Sequence, residues 1–253
     1  MHVSVLSTDG AVVGTREKVA GFQMLSGASS PLVEAQSTAG GSELGGATLC
    51  LHGQRLNGSS AVVVAIGGVG CPLLSANQTS VCCVTPASAS AWGSTAAALN
   101  VTLTVPVVGD ALFAAGVAGT FTYTAPPTLA SLSPPASHVG GTVHLQGSNL
   151  TGVGGAAPEV TLGGVACAVV SASSDSINCT AGDGALGSGG AVVVHVAGIG
   201  LALTSSGVSF TQQAAITAIG PTRGSAGGGT PLTLTGAGFH RLGAAPAVSV
   251  TGP

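Results

Sequence analysis

The sequence predicts an all-β protein built as a tandem array of small two-sheet sandwiches. Three observations carry that reading. Short runs alternate apolar and polar residues with a period of two, at 3–5, 48–52, 101–105, 142–146, 192–196 and 230–235, which is the pattern of strands buried on one face. Clusters of Gly, Pro, Ser and Asn separate these runs, and no stretch offers a capped helical period. A signature also recurs at about ninety residues, a period long enough to be a whole domain rather than a solenoid unit.

The elements follow in order. Residues 1–30 carry an alternating start and then 20–24, whose Ala-Gly-Phe resembles the last strand of the later copies; they are expected to be the late strands of a preceding repeat. Residues 31–125 form the first full copy: Gly45-Gly46, then Leu49 and Leu51 closed by Gly53, then Gly67-Gly68-Val69-Gly70-Cys71, Cys83, and a final strand at 118–123. Residues 126–213 repeat it with Gly140-Gly141, Val143, Leu145, Gly147, Gly163-Gly164-Val165-Ala166-Cys167, Cys179 and a final strand at 207–211. Residues 214–253 open a third copy with Gly228-Gly229, Leu232, Leu234 and Gly236, and are expected to be the early strands of a following repeat. Short, Pro-rich joints between the copies favour a rod over a flexible string.

Composition narrows the function. Charged residues are only 5% of the chain, and the apolar 45% is mostly Ala and Val with few aromatics, so the cores are thin. The cations Arg16, Lys18, Arg55, Arg223 and Arg241 are scattered, which is no footprint for a phosphate backbone. Sugars or burial against neighbouring subunits would keep so uncharged a surface soluble. No apolar run is long enough to span a membrane. Nor does the start read as a secretory leader; a secreted protein would carry its leader upstream of Met1.

The order of these motifs resembles the IPT/TIG domain, the immunoglobulin-like fold of E-set type found in plexins, Met-type receptors, fibrocystin-like proteins and certain transcription factors. The copy over 127–213 carries it most fully, with Ser133-Pro134, Gly140-Gly141-Thr142, Gly163-Gly164-Val165, Cys167 and Cys179. The first copy departs from it, with Ser37-Thr38 in place of Ser-Pro and two extra cysteines. The resemblance implies tandem immunoglobulin-like sandwiches in proteins of adhesion, signalling and surface assembly.

The six cysteines read as disulfides. A spacing of twelve occurs twice, at Cys71/Cys83 and Cys167/Cys179, and each bridge would contribute about 3 kcal/mol. In the fold that the resemblance implies, the strands holding Cys50 and Cys82 are neighbours. Strand parity turns both outward, so a third bridge, Cys50–Cys82, is expected across the outer face. Five N-glycosylation triplets begin at Asn57, Asn77, Asn100, Asn149 and Asn178, some of which a Ser/Thr-rich chain makes by composition alone. Pro126-Pro127 and Pro134-Pro135 are the contiguous prolines that plant-like organisms hydroxylate and glycosylate.

No catalytic set emerges. His2, His52, His138, His144, His195 and His240 are dispersed, and His52, His144 and His195 fall on alternating strands as surface residues. Asp9, Asp110, Asp175 and Asp183 lie in turn-like contexts. The Gly-rich stretch at 224–229 has no following Lys for a phosphate cradle. The expectation is a non-catalytic protein with no metal, cofactor or nucleic-acid partner. It would be a structural component of a secreted, glycosylated extracellular or cell-surface rod or fibril, whose partners are covalent glycans and copies of itself or neighbouring repeats end to end. The alternative is an ectodomain segment of a receptor or adhesion protein that binds a protein or glycan ligand.

Overall fold

A computed structural model describes residues 3–6, 12–16, 30–56, 62–88, 97–106, 108–184, 187, 189–239 and 247–250. At the start, β1 (Val3–Leu6) and β2 (Val12–Arg16) pair as an antiparallel hairpin.

The first full module holds β3 (Leu32–Gln36), β4 (Gly40–Ser42), β5 (Thr48–Gln54), β6 (Val63–Ile66), β7 (Val69–Cys71), β8 (Leu73–Ala76), β9 (Ser80–Val84), β10 (Leu99–Val105), β11 (Gly109–Asp110), β12 (Leu112–Phe113) and β13 (Thr120–Thr124). One sheet runs β12-β3-β5-β9-β8 and the other β4-β13-β10-β6-β7. The leading segment therefore starts in one sheet as β3 and crosses to the edge of the other as β4. Alternation fixes what is buried: Leu49, Leu51, Val81 and Cys83 face Val64, Ile66, Val101, Leu103 and Phe121 between the sheets. Tyr123 packs edge-on against Phe121 and donates its hydroxyl to the Pro86 carbonyl at 2.8 Å.

The second module repeats the plan with β14 (Thr128–Ser133), β15 (Ala136–His138), β16 (Thr142–Ser148), a 3-10 turn at Val153–Gly155, β17 (Glu159–Leu162), β18 (Val165–Ala172), β19 (Ser176–Ala181), β20 (Gly189–Val196), β21 (Gly200–Leu201), β22 (Leu203–Thr204) and β23 (Ser209–Gln213). Its core is Leu129, Val143, Leu145, Val160, Leu162, Ile177, Val192, Val194 and Phe210 around Cys167 and Cys179. Here β18 runs unbroken, pairing with both β17 and β19, and so links the second module's strands into one ten-stranded sheet. In the first module Pro72 stands where the second has Ala168. Proline cannot donate to the ladder, and the strand is split into β7 and β8.

A separate antiparallel pair, β24 (Ala215–Gly220) with β25 (Thr233–Ala237), begins the next copy, the strand starting a little later than the 230–235 run suggests. Its apolar side chains Ile216, Leu232, Leu234, Phe239, Val248 and Val250 line an open groove of about 770 Å³.

Two details recur in register. The first strand of each copy carries a bulge, at Val33/Ala35, Leu129/Ser131 and Ile216/Ala218. Opposite it, a Cβ on Gly53, Gly147 or Gly236 would lie 1.9 Å from the carbonyl oxygen of Leu32, Thr128 or Ala215. These glycines are demanded by close backbone approach, not by dihedral freedom. The Gly-Gly pairs, by contrast, do not match one for one. Gly46 N–H donates to Thr85 O as Gly140 N–H donates to Ala181 O, both at 2.9 Å, so Ala47, not Gly46, is the counterpart of Gly141. Ser42 and His138 are equivalent at the ends of β4 and β15, so the first module's turn is two residues longer.

Candidate functional site: the module joint and the modifiable surface

The sequence suggests short, stiff joints but not which surfaces of successive sandwiches meet. In the structure the turn after β4 receives the β20–β21 hairpin of the second module. Ser42 N–H donates to Ile199 O at 2.6 Å, Leu201 N–H donates to Gly45 O at 2.9 Å, and Ser42 Oγ donates to Leu201 O at 2.7 Å. Ser42 is fully buried there. The longer turn directs the Gly45 and Gly46 carbonyls toward the second module.

Glycine lets the two backbones close. A Cβ on Gly200 would lie 2.3 Å from Gly45 O, and one on Gly46 would lie 2.8 Å from Leu201 Cγ. Both hold left-handed dihedrals, with φ of +115° and +85°. Hydrogen bonds around buried backbone make this a docked surface rather than a loose linker.

His195 completes the joint. Its Nε2 lies 2.6 Å from Gly46 O, an acceptor only, so Nε2 carries the proton. Its Nδ1 lies 3.9 Å from the Glu159 carboxylate, which is largely exposed. The alternation of β20 suggests a surface histidine; the side chain is instead half-covered by the neighbouring module. Only the partner's position could have revealed this, because nothing local distinguishes His195 from His52 or His144, which are exposed. His138 bonds the adjacent Val139 carbonyl, while His2 and His240 lie outside the described residues.

All six cysteines are paired, as Cys50–Cys82, Cys71–Cys83 and Cys167–Cys179. The last two pairs are buried in their cores. Cys50 and Cys82 stand directly opposite each other on β5 and β9, half-exposed on the outer face.

The candidate acceptor asparagines fall in different settings. Asn77 is exposed in a turn where its Oδ1 accepts hydrogen bonds from Thr79 N, Thr79 Oγ1 and Ser80 N. Asn100 is exposed on β10, and Asn149 is exposed just after β16 with φ of +55°. Asn178 is half-buried, and its Nδ2 donates to Ser171 Oγ at 3.0 Å. Asn57 lies outside the described residues. Of the prolines, Pro134 and Pro135 are exposed, Pro126 is half-exposed, and Pro127 is buried at the joint, which closes it to a modifying enzyme in the folded chain.

Asp110 accepts a hydrogen bond from Thr104 Oγ1, and Asp175 one from Ser173 Oγ; both are turn-stabilising contacts. Among the described residues, no group of three or more His, Cys, Asp or Glu is placed to hold a metal ion, and no helix is long and apolar enough to cross a membrane.

The chain is similar to known proteins. The sequence profile of the IPT/TIG domain matches residues 31–124, 127–212 and 214–252. Fibrocystin-L of Mus musculus is 30% identical over 213 residues, covering 83% of this chain and 5% of that protein. Fibrocystin-L of Homo sapiens is 30% identical over 214 residues, covering 84% of this chain and 5% of that protein. The chain thus spans a small fraction of the length of these relatives. Among solved structures, the Plexin A4 full extracellular region aligns with 83% of this chain and 18% of its own at 17% identity and a TM-score of 0.47. With its profile matched in three successive blocks over most of the sequence, the chain belongs to the IPT/TIG domain family.

Proposed function

We propose that this chain is a non-catalytic, extracellular ectodomain segment that acts as a stiff spacer in a secreted, glycosylated rod or fibril. In this reading residues 1–30 are late strands of a preceding repeat, 31–125 and 126–213 are complete modules, and 214–253 open a following one. The observation that carries it is the joint. A contact made by main-chain hydrogen bonds at Ser42 and Leu201 fixes the angle between modules as well as their spacing. That is what a spacer under tension needs, and it is redundant in a freely jointed chain.

Two further features support the setting. Three disulfides with no free thiol suit an oxidising compartment. A surface with almost no charge suits covalent sugar, supplied at exposed acceptors such as Asn77, Asn100 and Asn149. The partners are then the attached glycans and neighbouring repeats stacked end to end. The same stiff stack would serve as a receptor stalk, so filament imaging of native material separates a fibril from a stalk. Small-angle scattering of the purified chain tests the spacer itself. An elongated particle with one inter-module angle is expected, and a profile that requires a broad distribution of angles overturns the reading.

A further inference from the structure

Between the first two modules, beside the joint, lies a cleft of about 460 Å³. Its lining includes the apolar Pro127, Val153 and Ile199 and the polar Thr38, Thr124 and Asn149, of which Asn149 is exposed. The cleft exists only while the modules are docked, because Thr38 and Thr124 come from the first module and Asn149, Val153 and Ile199 from the second. A mostly apolar groove with a few convergent hydroxyl and carbonyl groups is the usual form of a small-ligand site. It also matches a pyranose ring, which offers C–H faces to apolar walls and hydroxyls to polar ones.

Asn149 is fixed in place at this cleft. It opens the triplet Asn149-Leu150-Thr151. Leu150 is fully buried in the second core, and its N–H donates to Ser174 O at 2.9 Å, so the backbone at Asn149 is pinned. The left-handed φ of +55° suits asparagine better than most residues. Asn77 and Asn100 belong wholly to the first module's surface, and Asn178 is tied to Ser171.

We infer that the inter-module cleft is the seat of the first sugars of a glycan on Asn149, and that this glycan locks the joint. The inference rests on reading the chain as a secreted glycoprotein. A group bound across both modules favours the docked state by its differential affinity for it. Because the sugar is tethered to a residue that lines the cleft, its local concentration is high and weak contacts suffice.

Amide hydrogen exchange tests this directly. Ser42 N–H and Leu201 N–H bond across the joint, so their exchange reports its opening. The chain is produced in a glycosylating secretory host, with site occupancy read by mass spectrometry. The comparison variants are Thr151→Ala, which removes the acceptor without touching the left-handed residue, and Thr102→Ala, which removes the acceptor at Asn100. The expected result is an occupied Asn149 and exchange at both amides several-fold faster in Thr151→Ala, matching enzymatically deglycosylated protein, with no change in Thr102→Ala. Amides within β16 serve as the reference for overall stability. An occupied Asn149 with unchanged exchange overturns the inference. So does a bare Asn149 beside an occupied Asn77 or Asn100, which leaves the glycoprotein reading standing. If every acceptor is bare, that reading falls and the lock falls with it.

Discussion

Tyr123 is the only tyrosine in the chain, which makes a buried hydrogen bond measurable on its own. Desolvation holds its phenol above the ordinary value of 10.0, because burial disfavours the charged phenolate. The sign follows by linkage. Below pH 10 both folded and unfolded chains hold the proton and this stabilisation is complete. As pH rises toward the folded value, the unfolded chain ionises first and the stabilisation is lost. Absorbance at 295 nm should show one phenol titrating above 10 in native protein and near 10 in denaturant. Tyr123→Phe should remove about 1 kcal/mol by deleting the bond to Pro86 and flatten the alkaline decline in melting temperature. A native titration at or below 10 would contradict this account. The bulge glycines set a second test. A Cβ at Gly147 would meet Thr128 O at 1.9 Å, so Gly147→Ala should destabilise the second module by about 2–3 kcal/mol through overpacking. At Gly164 nothing lies within 4 Å of the position a Cβ would take, but φ is +85°, so Gly164→Ala should lose only about 1 kcal/mol. Chemical denaturation of the two variants separates close approach from dihedral strain.

At the level of the strand, the three disulfides differ in access. Cys167, Cys179, Cys71 and Cys83 are buried, while Cys50 and Cys82 are half-exposed. A reductant under native conditions should therefore open Cys50–Cys82 first, since exchange needs access to sulfur. Differential alkylation with peptide mapping reads the order, and prior loss of Cys167–Cys179 would overturn it. Replacing Cys167 and Cys179 together by Ala should cost about 3 kcal/mol by chain entropy. Much of this level was legible in the sequence. Period-two alternation located Leu49, Leu51, Val143 and Leu145, because one buried face forces apolar residues to alternate. The split of one strand at Pro72 could be read from the missing N–H. The short switch strands β4 and β15 could not, since three residues such as Gly40, Gly41 and Ser42 carry no period and are fixed by pairing with a strand some eighty positions away. The one-residue offset of the glycine pairs was hidden for a related reason. Gly45 and Gly46 look alike as letters, and only their hydrogen bonds distinguish them.

For the whole molecule, the joint is the feature that no single repeat encodes. Ser42, Gly46, His195 and Gly200 are ordinary residues in their own modules, and their role arises only when two copies meet. The first module's own hairpin gives the comparison. Gly109 matches Gly200 in its pairing and in a φ of +110°, yet nothing lies within 4 Å of the position its Cβ would take. Close packing at Gly200 is thus a property of docking, not of the hairpin. Substitution at the joint should then separate stiffness from stability. Leu201 is half-exposed and packs on Gly46, so Leu201→Asp places a charge against the Gly45 and Gly46 carbonyls without entering either core. The modules should keep their cooperative unfolding, because neither sandwich loses a buried residue. Their relative orientation should spread, seen as a broadened distance distribution in small-angle scattering and faster exchange at Ser42 N–H. The matching change Asp110→Leu in the first module, at the position equivalent to Leu201, should leave both readouts unchanged, since Asp110 is exposed beside the open Gly109. If Leu201→Asp scatters as the parent does, the angle is set by the short linker through Pro126 and Pro127 alone. The main-chain bonds at the joint would then be passengers, not the origin of the rod.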